Sequence, residues 1–388
     1  MRARRYDVDW LRVLAMLVVF YFHSAKLFDL DWFHIKNAQL SFGLTVFTSF
    51  AWAWIMPLFF LLSGIGTRFS LDFRTGRQYV WERFKRLFVP FLFGTLVIIP
   101  PQVYLERIRN SQFHGSYLQF YPHFFSGIYP RGNFSWHHLW FLIYLFVFSV
   151  IALPLFLHLR KEPGRRFVSR FASFCRRRGR LFLLALPIAA IEVTLRPKFP
   201  GLQTLISDWA NFFTYLTLFI YGYLLAADQQ SWEAIAEHWK VALAAAFCAT
   251  GVVAFILIRY DPQPGYSAAY ALTTVLRALT SWFWLIAFLG AAQRYLNFTN
   301  SVLRYASQAV LPFYVLHQTV IIMIGFYVVM WPLGIMPKYL IISSAAFAAT
   351  VLAYDLLVRR TNPTRILFGM RPLEAGPRPS PAEAASQG

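Results

Sequence analysis

Two side chains in the first apolar segment are of kinds a membrane helix rarely carries: Arg12 and His23, with ten residues between them. An ionisable group at bilayer depth is costly and marks function by default. Eleven helical steps of about 100° end about 20° past three full turns, so both side chains share one face, about 16 Å apart along the axis. A guanidinium attracts anions, and an imidazole exchanges protons near neutral pH. Together they make a polar track through a helix otherwise built of Leu, Val, Met and Phe. The plainer alternative is that Arg12 snorkels to the interface and His23 bonds a nearby carbonyl.

Arg83 and Arg86, with Lys85 between them, stand at (i, i+3) where the third apolar run begins. That spacing sets two guanidinium forks on one face, and phosphate groups are their natural ligand. Any cytoplasmic loop also carries Arg for reasons of topology, so the two readings stay side by side. Arg277 lies deep in a later run and needs a partner or an anion. His317 sits in another, where a lone His is more often structural than catalytic. His137 and His138 open a run beside Trp136 and Trp140; adjacent residues point to different faces, which argues against a metal site. No phosphate-cradling Gly-rich loop, Gly-x-Ser-x-Gly elbow or His-Glu-x-x-His motif occurs.

The elements that must position these groups are membrane helices. Of 388 residues, 58% are hydrophobic and 14% charged, too few polar side chains to cover a water-facing surface. Forty-one Phe, 13 Trp and 20 Tyr suit lipid contact and interfacial belts. A span needs about 20 apolar residues. The runs 8–28, 42–66, 87–105, 138–158, 181–195, 207–227, 241–259, 269–292, 305–329 and 338–358 predict an all-α, polytopic protein of about ten transmembrane helices. The first is read as a span and not a cleaved leader, because no small-x-small site follows it. With the N-terminus inside, 26 Lys and Arg fall on the inner side and 9 on the outer, which predicts cytoplasmic N- and C-termini.

The net charge of +20 comes in short clusters between apolar runs, which argues against nucleic-acid binding and for a lipid environment. Cys175 and Cys248 offer neither a disulfide framework nor a metal site. The organisation expected is one transmembrane domain over 1–360 and a cytoplasmic tail over 361–388, disordered after 371 by its Pro, Ala, Gly and Ser content. The outer stretch Arg107–Trp136 carries nine Phe, Tyr and Trp between Phe113 and Trp136, too many for an idle loop.

Arg12 and His23, preceded by Asp9-Trp10-Leu11, resemble the first-helix signature of the membrane acyltransferase family 3. Pro57-Leu58-Phe59-Phe60-Leu61-Leu62-Ser63-Gly64 looks like that family's second-helix terminus, and Arg83-Phe84-Lys85-Arg86 followed by Pro90 is similar to its Arg-x-x-Arg loop. His138-Leu139-Trp140-Phe141-Leu142 and the Tyr314/His317 helix also fit, the former particularly the branch called glucan biosynthesis protein C. The resemblance covers about 1–360 in consistent order.

The resemblance implies transfer of an acyl group, acetyl or succinyl, from cytoplasmic acyl-CoA to a hydroxyl of an extracytoplasmic carbohydrate at the bacterial inner membrane. Acyl-CoA would be a co-substrate, with no tightly bound cofactor and no metal. His23 would be the base and Arg12 the stabiliser of charge on the thioester oxygen. Arg83 and Arg86 would hold the donor, with Asp9, Ser63, His138, Trp140, Arg277 and His317 supporting the site or the acceptor. The competing class is a secondary transporter or a polysaccharide export or assembly protein. Transporters more often carry Asp or Glu relays and internal repeats, and neither is apparent here.

Overall fold

The structure, a computed structural model, describes residues 4–373, so most of the tail expected to be disordered lies outside the described residues. The described chain runs α1 (Tyr6–Ala25), α2 (Phe42–Trp52), α3 (Ile55–Leu71), α4 (Gly76–Arg109), α5 (Trp140–Ile151), α6 (Leu153–Leu159), α7 (Glu162–Arg176) and α8 (Ala185–Leu195). It continues through α9 (Trp209–Ala227), α10 (Gln229–Tyr260), α11 (Ala268–Tyr295), α12 (Ser301–Val328), α13 (Ile335–Val358) and α14 (Asn362–Leu367). Extended pairing among the described residues is confined to one bridge between Ile128 and Phe134. Carboxylate, hydroxyl and amide caps fix where helices start: Asp228 accepts from Gln230 N, Ser267 from Tyr270 N and Asn300 from Leu303 N.

Eight helical segments are long and apolar enough to cross a membrane, and the bent pair His137–Ile151 with Leu153–Leu159 makes nine. The tenth expected span, 181–195, is five residues of 3₁₀ helix followed by the 11 of α8. That is about 26 Å of helix, short of the roughly 30 Å hydrocarbon layer. It nevertheless links two faces of the protein. Gly179 N donates to His238 at one end, and Arg196 Nη2 donates to Asn211 at the other.

One of these faces, the terminal face, carries both ends of the described chain. There Arg5 lies 3.7 Å from the centre of the Trp232 ring, Trp10 Nε1 donates to Phe298 O, and a Cβ on Gly369 would stand 2.6 Å from Arg86 O. The opposite, loop face gathers 26–41, 110–136, 196–208 and 261–267. Asp29, fully buried, organises the first of these by accepting from Lys26 and Lys36, each at 2.8 Å, and from Thr48 at 3.0 Å. Burial lowers the Lys36 ammonium from its ordinary value against the pull of Asp29.

Much of the aromatic stretch 110–136 packs on itself: Phe120 and Phe124 are buried among Tyr104, Phe113 and Phe134. Tyr129, Phe134 and Trp136 are left to face a cavity.

Lipid supplies no hydrogen bonds, so every irregularity inside a helix needs an internal partner. In α4, residues 84–88 and 94–98 are π-helical, and Pro100 has no N–H for the carbonyl of Leu96. Tyr121 Oη donates to that oxygen at 3.0 Å, and Thr319 Oγ1 donates to Ile98 O at 2.8 Å. Helix α10 faces lipid, with only 11% of its apolar window buried inside the protein.

Helices α3 and α9 meet backbone to backbone. A Cβ on Gly64 would lie 2.0 Å from Phe219 O, and one on Gly222 2.0 Å from Leu61 O. Small residues permit this close approach in a membrane, where no water is released to drive association. Gly64→Ala should therefore lower the thermal midpoint of the purified protein, at a cost typical of overpacking, about 1–3 kcal/mol. Gly251→Ala, with nothing within 4 Å of its Cβ position, should leave the midpoint unchanged or raise it. Equal responses of the two variants would mean that the contact does not matter.

Candidate active site

His23 lies in the last turn of α1, His138 in the 3₁₀ turn that opens α5, and His317 in α12 one turn beyond Pro312. The fold brings them together: ring centres of His23 and His317 are 4.9 Å apart, of His138 and His317 5.2 Å, and of His23 and His138 6.4 Å. His137 has φ +39°, a conformation side-chain-bearing residues seldom adopt. That turn sends His137 towards His34, at 4.2 Å between ring centres, and His138 towards His317. Tyr314 Oη donates to His138 O, which pins the start of α5 to α12.

The hydrogen bonds assign the tautomers, because carbonyl oxygens only accept. His317 Nδ1 lies 2.7 Å from Tyr314 O and must carry a proton, which leaves Nε2 as an acceptor. His23 Nδ1 lies 3.0 Å from that Nε2 and 3.1 Å from Val19 O, so it is the donor. The remaining nitrogen, His23 Nε2, carries a free lone pair. His138 Nε2 is committed to Val315 O at 3.2 Å, and its buried Nδ1 has no partner. Beside them Gln318 Nε2 donates to Gln102 Oε1 and Gln102 Nε2 to Thr319 Oγ1, which fixes α12 against α4. Among the described residues no group of three His, Cys, Asp or Glu is arranged to hold a metal ion.

His23 and His138 line a cavity of about 2060 Å³ on the loop face. Trp32, Phe50, Trp52, Trp136, Trp140, Tyr215 and Trp282 supply broad aromatic walls. At one side Glu106 Oε2 holds His34 Nδ1 at 2.6 Å and Oε1 accepts from Tyr129 Oη at 3.0 Å. Burial and this carboxylate push the Tyr129 phenol above its ordinary range, keeping it a donor. On the opposite side Glu192 binds Arg196 and Thr214, and Asp208 accepts from Tyr144, Gln203 N and Asn211.

The other half of α1 faces a cationic cluster. Arg12 Nη2 donates to Leu62 O at 2.9 Å across Gly66, and its Nη1 reaches Asp9 at 3.4 Å. Asp9 also accepts from Arg4. Arg83 donates to Thr67 at 3.3 Å over the Tyr79 ring, with its Nε buried and unpaired. Thr67 in turn donates to the carbonyl of Ser63. Arg86, half-exposed, pairs with Glu82 at 3.6 Å.

Residues 5–356 match the family described as "Acyltransferase domain". The chain belongs to this family. Glucans biosynthesis protein C of Salmonella typhi, of Salmonella typhimurium and of Salmonella agona are each 24% identical to it over 335 residues, 84% of this chain and 84% of the relative. No solved structure matches it significantly.

The structure brings His138 and His317 to His23, places Trp140 and Arg277 on the same cavity, and gathers Asp9, Arg12, Ser63 and Arg83 at the terminal half of α1. The ionisable residue hydrogen-bonded to His23 is His317. The cluster of His34, Glu106, Tyr129 and His137 has no counterpart in the sequence reading, since neither motif nor periodicity marks it.

His317 and His23 are joined directly by one hydrogen bond. A proton gained at His23 Nε2 would make the Nδ1–H···Nε2 bond charge-assisted, a bond worth about 1.5–3 kcal/mol. His317→Ala should slow acyl transfer by roughly tenfold to a hundredfold, and His317→Gln, whose carbonyl oxygen can accept the same proton, should recover part of the rate. Full activity in His317→Ala at unchanged protein abundance would detach the two residues.

Proposed function

We propose that the protein transfers an acyl group, acetyl or succinyl, from acyl-CoA at the terminal face to a hydroxyl of a carbohydrate held in the loop-face cavity. His23 Nε2 takes the hydroxyl proton as the oxygen attacks the thioester carbonyl carbon. The C–S bond breaks, and the imidazolium returns its proton to the leaving thiolate, giving the ester and free CoA. Arg12 and Arg83, with Arg86 at the mouth, would bind the donor's phosphates. The acyl-pantetheine arm would lie along α1, between the cations and the imidazole.

The observation that carries this reading is the free Nε2 of His23, backed by His317, on a cavity wide enough for several sugar rings. The relatives' name ties them to glucans, and flat aromatic walls suit the apolar faces of sugars. The charge split of 26 to 9, with both described ends on one face, supports cytoplasmic termini and the inner membrane as the location. The donor and acceptor then meet from opposite sides of the bilayer.

The test uses the full chain in nanodiscs with labelled acyl-CoA and a glucan oligosaccharide. Wild type should release CoA and label the glycan. His23→Ala should lose roughly 10²–10⁴-fold in rate, the usual contribution of general-base catalysis, while its thermal midpoint stays close to wild type. Arg83→Ala and Arg86→Ala should weaken CoA binding by calorimetry, with Lys at either position restoring only part because the fork is lost. Wild-type turnover in folded His23→Ala would sink the mechanism; unchanged CoA affinity in both Arg variants would leave them a topological role.

A further inference from the structure

The cavity holds a cation that the acyl-transfer steps above do not use. Arg277 lies on α11, in a segment apolar enough to span the membrane, yet its side is exposed because it opens on the cavity. The other cavity-lining Lys and Arg side chains are engaged: Lys26 with Asp29 and Asp31, and Arg196 with Glu192 and Asn211. Arg277 has no ion pair and no side-chain hydrogen bond among the described residues. The cavity's remaining carboxylate, Asp261, bonds Gln263.

Thr274 and Ser281 stand at its i−3 and i+4 positions, on the same face of α11, and both also line the cavity. Neither hydroxyl is spent on a helix carbonyl, unlike those of Thr273 and Thr280 next to them, which bond Ala269 O and Leu276 O. A guanidinium flanked by two free hydroxyls in a recess has the composition of an anion site. A cation at this depth without a counter-charge is costly, and a bound anion removes that cost.

We propose that Arg277, Thr274 and Ser281 form a subsite for a carboxylate, carried by a substrate lodged in the cavity. The carboxylate comes from one of two sources: the far end of a dicarboxylic acyl group, or an acidic sugar of the acceptor. Only the choice of source rests on the acyl-transfer reading; the anion site stands on the cavity itself.

Tryptophan fluorescence of the full chain in nanodiscs reads binding, since Trp282 and Trp140 line the same cavity. Monomethyl succinate probes the acyl source, with dimethyl succinate as its neutral counterpart; methyl glucuronoside probes the acceptor source, with methyl glucoside as its counterpart. One charged probe should bind saturably and at least about tenfold more tightly than its neutral partner, the usual scale of a charge-assisted contact. That preference should vanish in Arg277→Ala and Arg277→Gln and return in part in Arg277→Lys. The probe that binds names the source.

In the transfer assay, Arg277→Ala should then lower succinyl over acetyl transfer, or acidic over neutral acceptor use, by a similar factor. No charge preference in wild type, or an undiminished one in folded Arg277→Ala or Arg277→Gln, overturns the subsite. An Arg277-dependent preference without any CoA release from acyl-CoA would keep the subsite and overturn the acyl-transfer reading instead.

Discussion

The hydrogen bond between His23 and His317 joins the first long helix to one near the other end of the chain, and the site's chemistry hangs on its direction. Because Tyr314 O can only accept, the proton order runs one way through His317 and ends with a bare nitrogen on the cavity. Two further contacts and one turn keep the two rings in register. Tyr314 ties α12 to His138, the Gln318–Gln102–Thr319 chain ties it to α4, and the left-handed turn at His137 lets the fourth span begin with His138 facing inward. Loosening any of these would rotate a ring rather than remove it.

The charges follow the same economy. Guanidinium groups cluster at the terminal half of α1, where backbone carbonyls, Asp9 and the Tyr79 ring receive them. Imidazoles, which can stay neutral, occupy the loop half. Such a gradient sets cations at one end of the helix and neutral rings at the other without burying an uncompensated ion between them.

How much of this was written in the sequence differs by element. Arg12 and His23 stood out because each violates the apolar rule of its own helix, a local signal. Long spans were legible for the same reason, by length and hydropathy. The segment 181–195 was harder: it links the two faces with little helix to do it, and a hydropathy window cannot tell a short crossing from a buried stub. The partnership of His317 with His23 was not legible, since the two are 294 residues apart and a lone His in an apolar run looks structural. The aromatic content of Arg107–Trp136 is plain in the sequence. Composition could not reveal that Phe120 and Phe124 build its own core while Tyr129 and Trp136 face the cavity.

The Gly64–Gly222 contact gives the protein an uneven stiffness. With carbonyl oxygens of α3 and α9 pressed against bare Cα atoms, these two helices behave as a single strut, and sliding or twisting one against the other would drive backbone into backbone. Compliance has to reside elsewhere, and α4 has the makings of it: two widened turns, prolines at 90 and 100, and carbonyls held by the Tyr121 and Thr319 side chains in place of its own ladder. Any passage that opens between the two faces would therefore open on the α4 side of the first helix, with the α3–α9 strut as the fixed wall.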